Sequence, residues 1–249
     1  MKRTNKLTIG IILTISSLFT IAALFFGAYI VYSVNQELKI ENNLSEIDYL
    51  VNYDIFDSKI DDLLKEYVSS GDYLVVEKAM KNYLKDIIYY ARKINEINDN
   101  EEFIMVLSMD NFYEDMPDFN NSLRVINEVS LDVEDIKDNF VRLLQKDVIY
   151  SYINDADIID YYKDYYKELV YDASSIEDDA SSIESNLDFV LNVLNLYEEF
   201  YNFLKENKNN WVVDGEYIYF ANSNLEEKYL DLLYRIENIE YYDNLFDFI

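Results

Sequence analysis

The sequence predicts an all-α protein: an N-terminal transmembrane helix that continues into an elongated antiparallel helical bundle or coiled coil, with one small β-hairpin at about 211–220. Three observations carry that prediction. Residues 7–34 contain no charged side chain. Beyond them, apolar residues recur at alternating steps of three and four, the period of a helix seam. Breaks are few, because the 249 residues include four Gly and one Pro.

The elements follow in order. Residues 1–6 form a basic tail with Lys2, Arg3 and Lys6. Residues 7–34 are long enough for an anchor, since about 20 apolar residues cross a hydrocarbon core of about 30 Å. The first acidic residue is Glu37. Basic residues favour the cytoplasmic side, so the N-terminus is expected inside and 35–249 outside. Tyr29 and Tyr32 fall near the outer interface, where aromatic belts form. A cleaved signal peptide has an apolar region of about 7–15 residues followed by a small-residue cleavage site. This run is longer and no Ala-x-Ala follows it, which favours an uncleaved anchor. No second segment approaches 18 apolar residues, so a single span is expected.

The longest seam runs Ile159, Tyr162, Tyr166, Leu169, Ala173, Ile176, Ala180, Ile183, Leu187, Val190, Leu194, Tyr197, Tyr201, Leu204. It predicts one continuous helix over 159–204. Shorter seams are Tyr49-Tyr53-Phe56-Ile60-Leu63-Tyr67, Val76-Met80-Tyr83-Ile87-Tyr90-Ile94-Ile97 and Ile126-Val129-Val133-Ile136-Phe140-Leu143. A last helix is expected over Leu225–Ile239, capped by Asn222 or Ser223. Breaks are predicted at Ser69-Ser70-Gly71-Asp72, Asn98-Asp99-Asn100, Glu114–Asp118 around Pro117, and Asn154–Asp157. Trp211–Phe220 reads as two short strands around Asp214-Gly215. A type I′ turn there pairs Trp211 with Ile218 and Val213 with Glu216. Trp211, Val213, Ile218 and Phe220 then share one face, which must pack on the bundle because a lone hairpin is marginal in water.

Composition excludes several chemistries. The chain has neither Cys nor His, so disulfides, thiolate nucleophiles, imidazole bases and Cys or His metal sites are ruled out. Its net charge of −28 argues against nucleic acid as a partner, since phosphate contacts need clustered Lys and Arg. No nucleophile elbow, P-loop or dinucleotide fingerprint occurs. The expectation is a non-enzyme without cofactor or metal. The acidic clusters Asp110/Glu114/Asp115/Asp118 and Glu177-Asp178-Asp179 lack the spacing of a calcium loop and read as solvated surface. Asn43-Leu44-Ser45 and Asn120-Asn121-Ser122 match the glycosylation triplet.

Two aromatic groups are candidate interaction sites. One is Tyr161 and Tyr165, within the run Tyr161, Tyr162, Tyr165, Tyr166 and Tyr171, where packing competes with recognition as the role. The other is the hairpin, with Trp211, Tyr217 and Tyr219. It serves either as a partner clamp or as a lid over an apolar end of the bundle.

Residues 6–47, including Tyr32-Ser33-Val34-Asn35-Gln36-Glu37-Leu38, resemble the beginning of chemotaxis-type transmembrane receptors. Those have a short basic N-terminus, a first span and a four-helix-bundle sensory ectodomain. The resemblance implies a helical ectodomain, but this sequence has no second span and no signalling coiled coil, so no functional residue carries over. Two functions are therefore expected. One is a membrane-anchored extracytoplasmic bundle that binds the bilayer through 7–34 and acts by scaffolding, with an envelope protein or itself as partner. The alternative is a ligand-sensing ectodomain that modulates a separate membrane partner. Buried polar residues in the seams would favour the second.

Overall fold

In the computed structural model the backbone is described for residues 2–171, 176–215 and 217–238, and the side chains for 28–170, 180–215 and 217–238. The fold is helical with one hairpin. The elements are α1 (Lys2–Tyr53), α2 (Ser58–Lys65), α3 (Asp72–Asn98), α4 (Glu101–Leu107), α5 (Phe112–Asp115), α6 (Asn120–Leu143), α7 (Lys146–Asn154), α8 (Asp160–Tyr171), α9 (Ile176–Glu206), β1 (Trp211–Asp214), β2 (Tyr217–Phe220) and α10 (Ser223–Glu237). The chain divides into two compact units, 1–82 with 156–166 and 83–155 with 167–249, and the division falls within α3 and α8.

In the first unit, α1 is a single helix of 52 residues. Among the described residues no helix is long and apolar enough to cross a membrane. The expected span 7–34 lies mostly outside the described side chains, with 28–34 within them. The buried stripe of α1 is Ser33, Gln36, Ile40, Asn43, Ile47 and Leu50, at alternating steps of three and four. Half of its members are polar. The expected stripe of Tyr49, Tyr53 and Phe56 faces outward instead, at 67%, 80% and 45% exposure. The cause is a break at 54–57. The Asp54 Oδ1 accepts from Phe56 N at 3.0 Å, and Asp57 caps α2 by accepting from Lys59 N at 2.8 Å. Past that break Ile60 and Leu63 turn inward as predicted, while Tyr67 stays 43% exposed.

The second unit has one core, centred on α9. Leu187, Val190, Leu194, Tyr197, Tyr201 and Leu204 are all buried, as the seam predicts. Val193, Leu196, Phe200 and Phe203 are buried too, so α9 is enclosed on more than one face, with α6 and α10 packed against it. The α6 stripe from Ile126 to Leu143 is buried throughout. Two seam residues are Tyr for a visible reason. Tyr197 and Tyr201 donate to the carbonyls of Leu107 (2.8 Å) and Val106 (2.9 Å), which sit at the C-terminal end of α4, where a helix leaves acceptors unpaired. The expected continuous helix 159–204 appears as α8 and α9. Residues 172–175, with Ala173, lie outside the described residues, and Ile159 precedes α8 with 63% exposure. The side chains of Tyr171, Ile176 and Glu177-Asp178-Asp179 are likewise outside the described set, as is Ile239.

The hairpin forms with its register moved by two residues. Trp211 pairs with Phe220, Val213 with Ile218 and Asp214 with Tyr217. The strands are therefore joined between Asp214 and Tyr217 rather than between Val213 and Glu216, and Glu216 lies outside the described residues. Gly215 has φ +65°, a value that suits Gly at the first loop position of a primed turn. A shift of two keeps each side chain on its face, so Trp211, Val213, Ile218 and Phe220 still face the core together.

Candidate functional site

Two clusters contain the aromatic residues singled out by sequence. The first lies in the first unit, where α1, α3 and α8 meet. Glu37 is the centre. Tyr161 of α8 donates to Glu37 Oε1 at 2.7 Å, and Tyr73 of α3 donates to the same oxygen at 2.7 Å. The Ser33 hydroxyl hydrogen-bonds to that of Tyr73. Tyr165 reaches the Glu37 backbone carbonyl at 3.4 Å. The rings of Tyr73 and Tyr162 meet edge to face at 4.9 Å, and those of Tyr161 and Tyr162 at 5.2 Å. Beside them the 66–71 connection is held to α1. Ser70 N donates to Gln36 Oε1 at 2.9 Å, and the Tyr32 hydroxyl donates to the Ser70 carbonyl at 3.2 Å.

Burial, with the Tyr161 and Glu37 hydrogen bonds adding to it and Ser33 opposing, pushes the Tyr73 phenol well above its ordinary value. Burial likewise raises Tyr162, helped by a hydrogen bond with Tyr29. These phenols stay protonated at neutral pH and act as donors, not as bases. The arrangement is a hydrogen-bonded clamp on one carboxylate. Tyr165 is buried, whereas Tyr161 remains 49% exposed. The Tyr-rich run 161–171 marked Tyr161 and Tyr165 as candidates in the sequence. Glu37, Tyr73 and Gln36 were missed, their only signal being a place just after the uncharged run and beside Gly71.

The second cluster is the hairpin. Trp211 is 7% exposed and donates Nε1–H to the Leu204 carbonyl at 2.8 Å. Its ring lies 6.2 Å from that of Phe119, which itself packs on Phe112 and Tyr201. Trp211 is thus a core anchor of the hairpin. Val212, Tyr217 and Tyr219 point the other way and are 64%, 68% and 53% exposed. The Tyr113 hydroxyl donates to the Gly215 carbonyl at 3.3 Å and pins the loop. One sheet face is fixed and the opposite face presents two Tyr and a Val to the outside.

Asp115 accepts from Ser122 N and Oγ at 2.7 Å each, and Asp118 pairs with Lys208 at 2.6 Å. Those carboxylates are engaged in holding the α5–α6 turn. Among the described residues no group of three acidic side chains is placed to hold a metal. Asn43 is buried within α1, where a glycan has no room. The chain matches no protein-family model, no curated protein and no solved structure.

Proposed function

We propose that the chain is a membrane-anchored, extracytoplasmic helical-bundle protein that acts by protein–protein contact or scaffolding at the cell envelope. The uncharged run 7–34 and the basic tail before it support the anchor and its direction. Exposed Tyr29, Ile30, Val31 and Val34 on α1 fit a helix that enters lipid. The observation that carries the contact role is the hairpin's outer face. Val212, Tyr217 and Tyr219 are exposed on a sheet whose inner face is locked into the core, and Tyr combines large contact area with low ordering cost. The partner is an envelope protein or a second copy of this chain.

A photo-crosslinking residue at Val212, in living cells, tests this. A discrete adduct is expected, and Tyr217→Ala with Tyr219→Ala should abolish it. No adduct from 212, 217 or 219 would contradict the proposal.

A second reading, ligand sensing with control of a separate membrane partner, rests on the polar stripe of α1. Ser33, Gln36 and Asn43 occupy buried seam positions, and Asn43 Oδ1 has no hydrogen-bond partner among the described residues. A structural seam has no need of them. A ligand that binds only the folded state raises the unfolding midpoint. A saturable midpoint rise with one of a panel of small metabolites, lost in Asn43→Leu, would favour this reading over the first.

A further inference from the structure

Between Ala28 and Leu38 the exposed side chains of α1 are apolar or aromatic except Asn35. Ile30, Val31, Val34 and Leu38 are 46–69% exposed, and Tyr29 and Tyr32 are 49% and 41% exposed. Such a surface is costly in water. About 20 residues cross the hydrocarbon core, and with the excess on the side of Lys2, Arg3 and Lys6 the core's outer edge meets the end of the uncharged run 7–34. Val34, its last member, precedes Glu37 by a rise of about 4.5 Å along the helix. The headgroup layer is roughly 5–8 Å deep on each side, so Glu37 falls within it.

What Glu37 holds is therefore at the same level. Tyr161 and Tyr73 place the first turns of α8 and α3 there through Glu37 Oε1. Ser70 joins them through Tyr32 and Gln36. Tyr suits this layer because its ring is apolar and its hydroxyl is polar. The charges at this end are acidic, with Asp72 and Asp160 in the first turns of α3 and α8. Contact thus rests on aromatic rings and hydroxyls rather than on attraction to anionic lipid.

We infer that Tyr32 and Tyr161, linked through Tyr73 and Glu37, form an aromatic collar seated in the headgroup layer of the bilayer, so that the first unit meets lipid with the first turn of α8 as well as with α1. The inference rests on the membrane-anchored reading above and adds a lipid-binding surface outside the anchor itself.

The chain has no Cys, so each introduced thiol carries a nitroxide at a unique place. The full chain is reconstituted in phosphatidylcholine vesicles with labels at Ile30→Cys, Asp160→Cys or Tyr53→Cys. Tyr53 is 80% exposed and about 24 Å further along α1 than Glu37. The expected result is oxygen-accessible lipid burial at 30, free collision with a water-soluble nickel chelate at 53, and nickel collision several-fold lower at 160 than at 53. Adding Tyr32→Ser and Tyr161→Ser should bring position 160 to the value at 53, while Tyr161→Trp should keep it low. Lipid burial at 30 with water-like collision at 160 overturns the collar and leaves the anchor standing. Water-like collision at 30 overturns both.

Discussion

Glu77 and Lys81 sit one turn apart on α3 with side chains 0% and 1% exposed and their charges 2.8 Å apart. Glu77 also accepts from Val68 N (3.1 Å), Ser69 N (2.9 Å) and Ser69 Oγ (2.6 Å). Lys81 donates to the carbonyls of Leu63 (2.9 Å) and Glu66 (2.5 Å) at the end of α2. The pair thus satisfies backbone groups that the 65–70 connection leaves without helix partners. Burial alone would raise the Glu77 pKa, but the hydrogen bonds from Lys81, Ser69 and Val68 outweigh it and hold the carboxyl below its ordinary value. A depressed carboxyl stabilises the fold fully above the unfolded pKa and loses that contribution as pH falls through the lower folded value. Acid unfolding should therefore lose a component in Glu77→Gln that the natural chain shows below about pH 4.5. Glu77→Ala should cost roughly 3–5 kcal/mol in denaturant unfolding, because it strands the buried ammonium. The double change Glu77→Leu, Lys81→Met should cost less than Glu77→Ala alone. At the alkaline end, burial pushes the Tyr83 phenol up to about 12. A raised pKa means that stability is present below the unfolded value, about 10, and lost as pH climbs through about 12. Circular dichroism across that range should show a higher unfolding midpoint for Tyr83→Phe than for the natural chain.

At the scale of elements, the stripes of α6 and the second half of α9 were legible because every seam position is apolar or Tyr, whereas in α3 the seam was legible from Val76 to Tyr83 but the buried Glu77 and Lys81 beside it were not. The stripe of α1 was not, because Ser33, Gln36 and Asn43 interrupt it, and hydrophobic periodicity cannot register a polar residue turned inward. The break between α1 and α2 was hidden for a related reason. Asp54 and Asp57 are two acidic residues among many, and only their bonds to Phe56 and Lys59 mark them as turn and cap. In the hairpin, the face assignment followed from alternation and survives a shift of two residues, whereas the register depended on which two residues formed the loop. Of the candidate sites, the exposed pair Tyr217 and Tyr219 was legible from that alternation. Glu37 was not, because its partners lie 36 and 124 residues away in sequence. The division of the hairpin into a fixed and a free face predicts opposite mutational outcomes. Trp211→Ala should destabilise by roughly 3–5 kcal/mol, through cavity formation and the unpaired Leu204 carbonyl. Tyr217→Ala and Tyr219→Ala should each stay within about 0.5 kcal/mol, as exposed substitutions do, which makes them clean probes of partner contact.

For the whole molecule, a net charge of −28 is a field that opposes compaction and is screened over about 10 Å at 0.1 M salt. Thermal unfolding should accordingly shift upward as sodium chloride rises from about 0.01 M to about 0.15 M. A flat response would mean that the surface pairs, such as Lys137–Asp188 at 2.5 Å, lose as much to screening as the net repulsion does. The same charge disfavours polyanions, and the uncharged surfaces open to contact include the tyrosines of α1 near Glu37 and the exposed face of the hairpin. The proposed function requires that residues 7–34 enter a membrane and that 35–249 lie outside it. Tyr53→Cys tests that most directly, since it is exposed on α1 and would be the only thiol. Cells with the plasma membrane intact and any outer layer removed are treated with a membrane-impermeant maleimide. The account predicts full labelling before lysis, with the labelled protein retained in the membrane pellet after an alkaline carbonate wash. Labelling only after lysis, or release of the protein by carbonate, would contradict it.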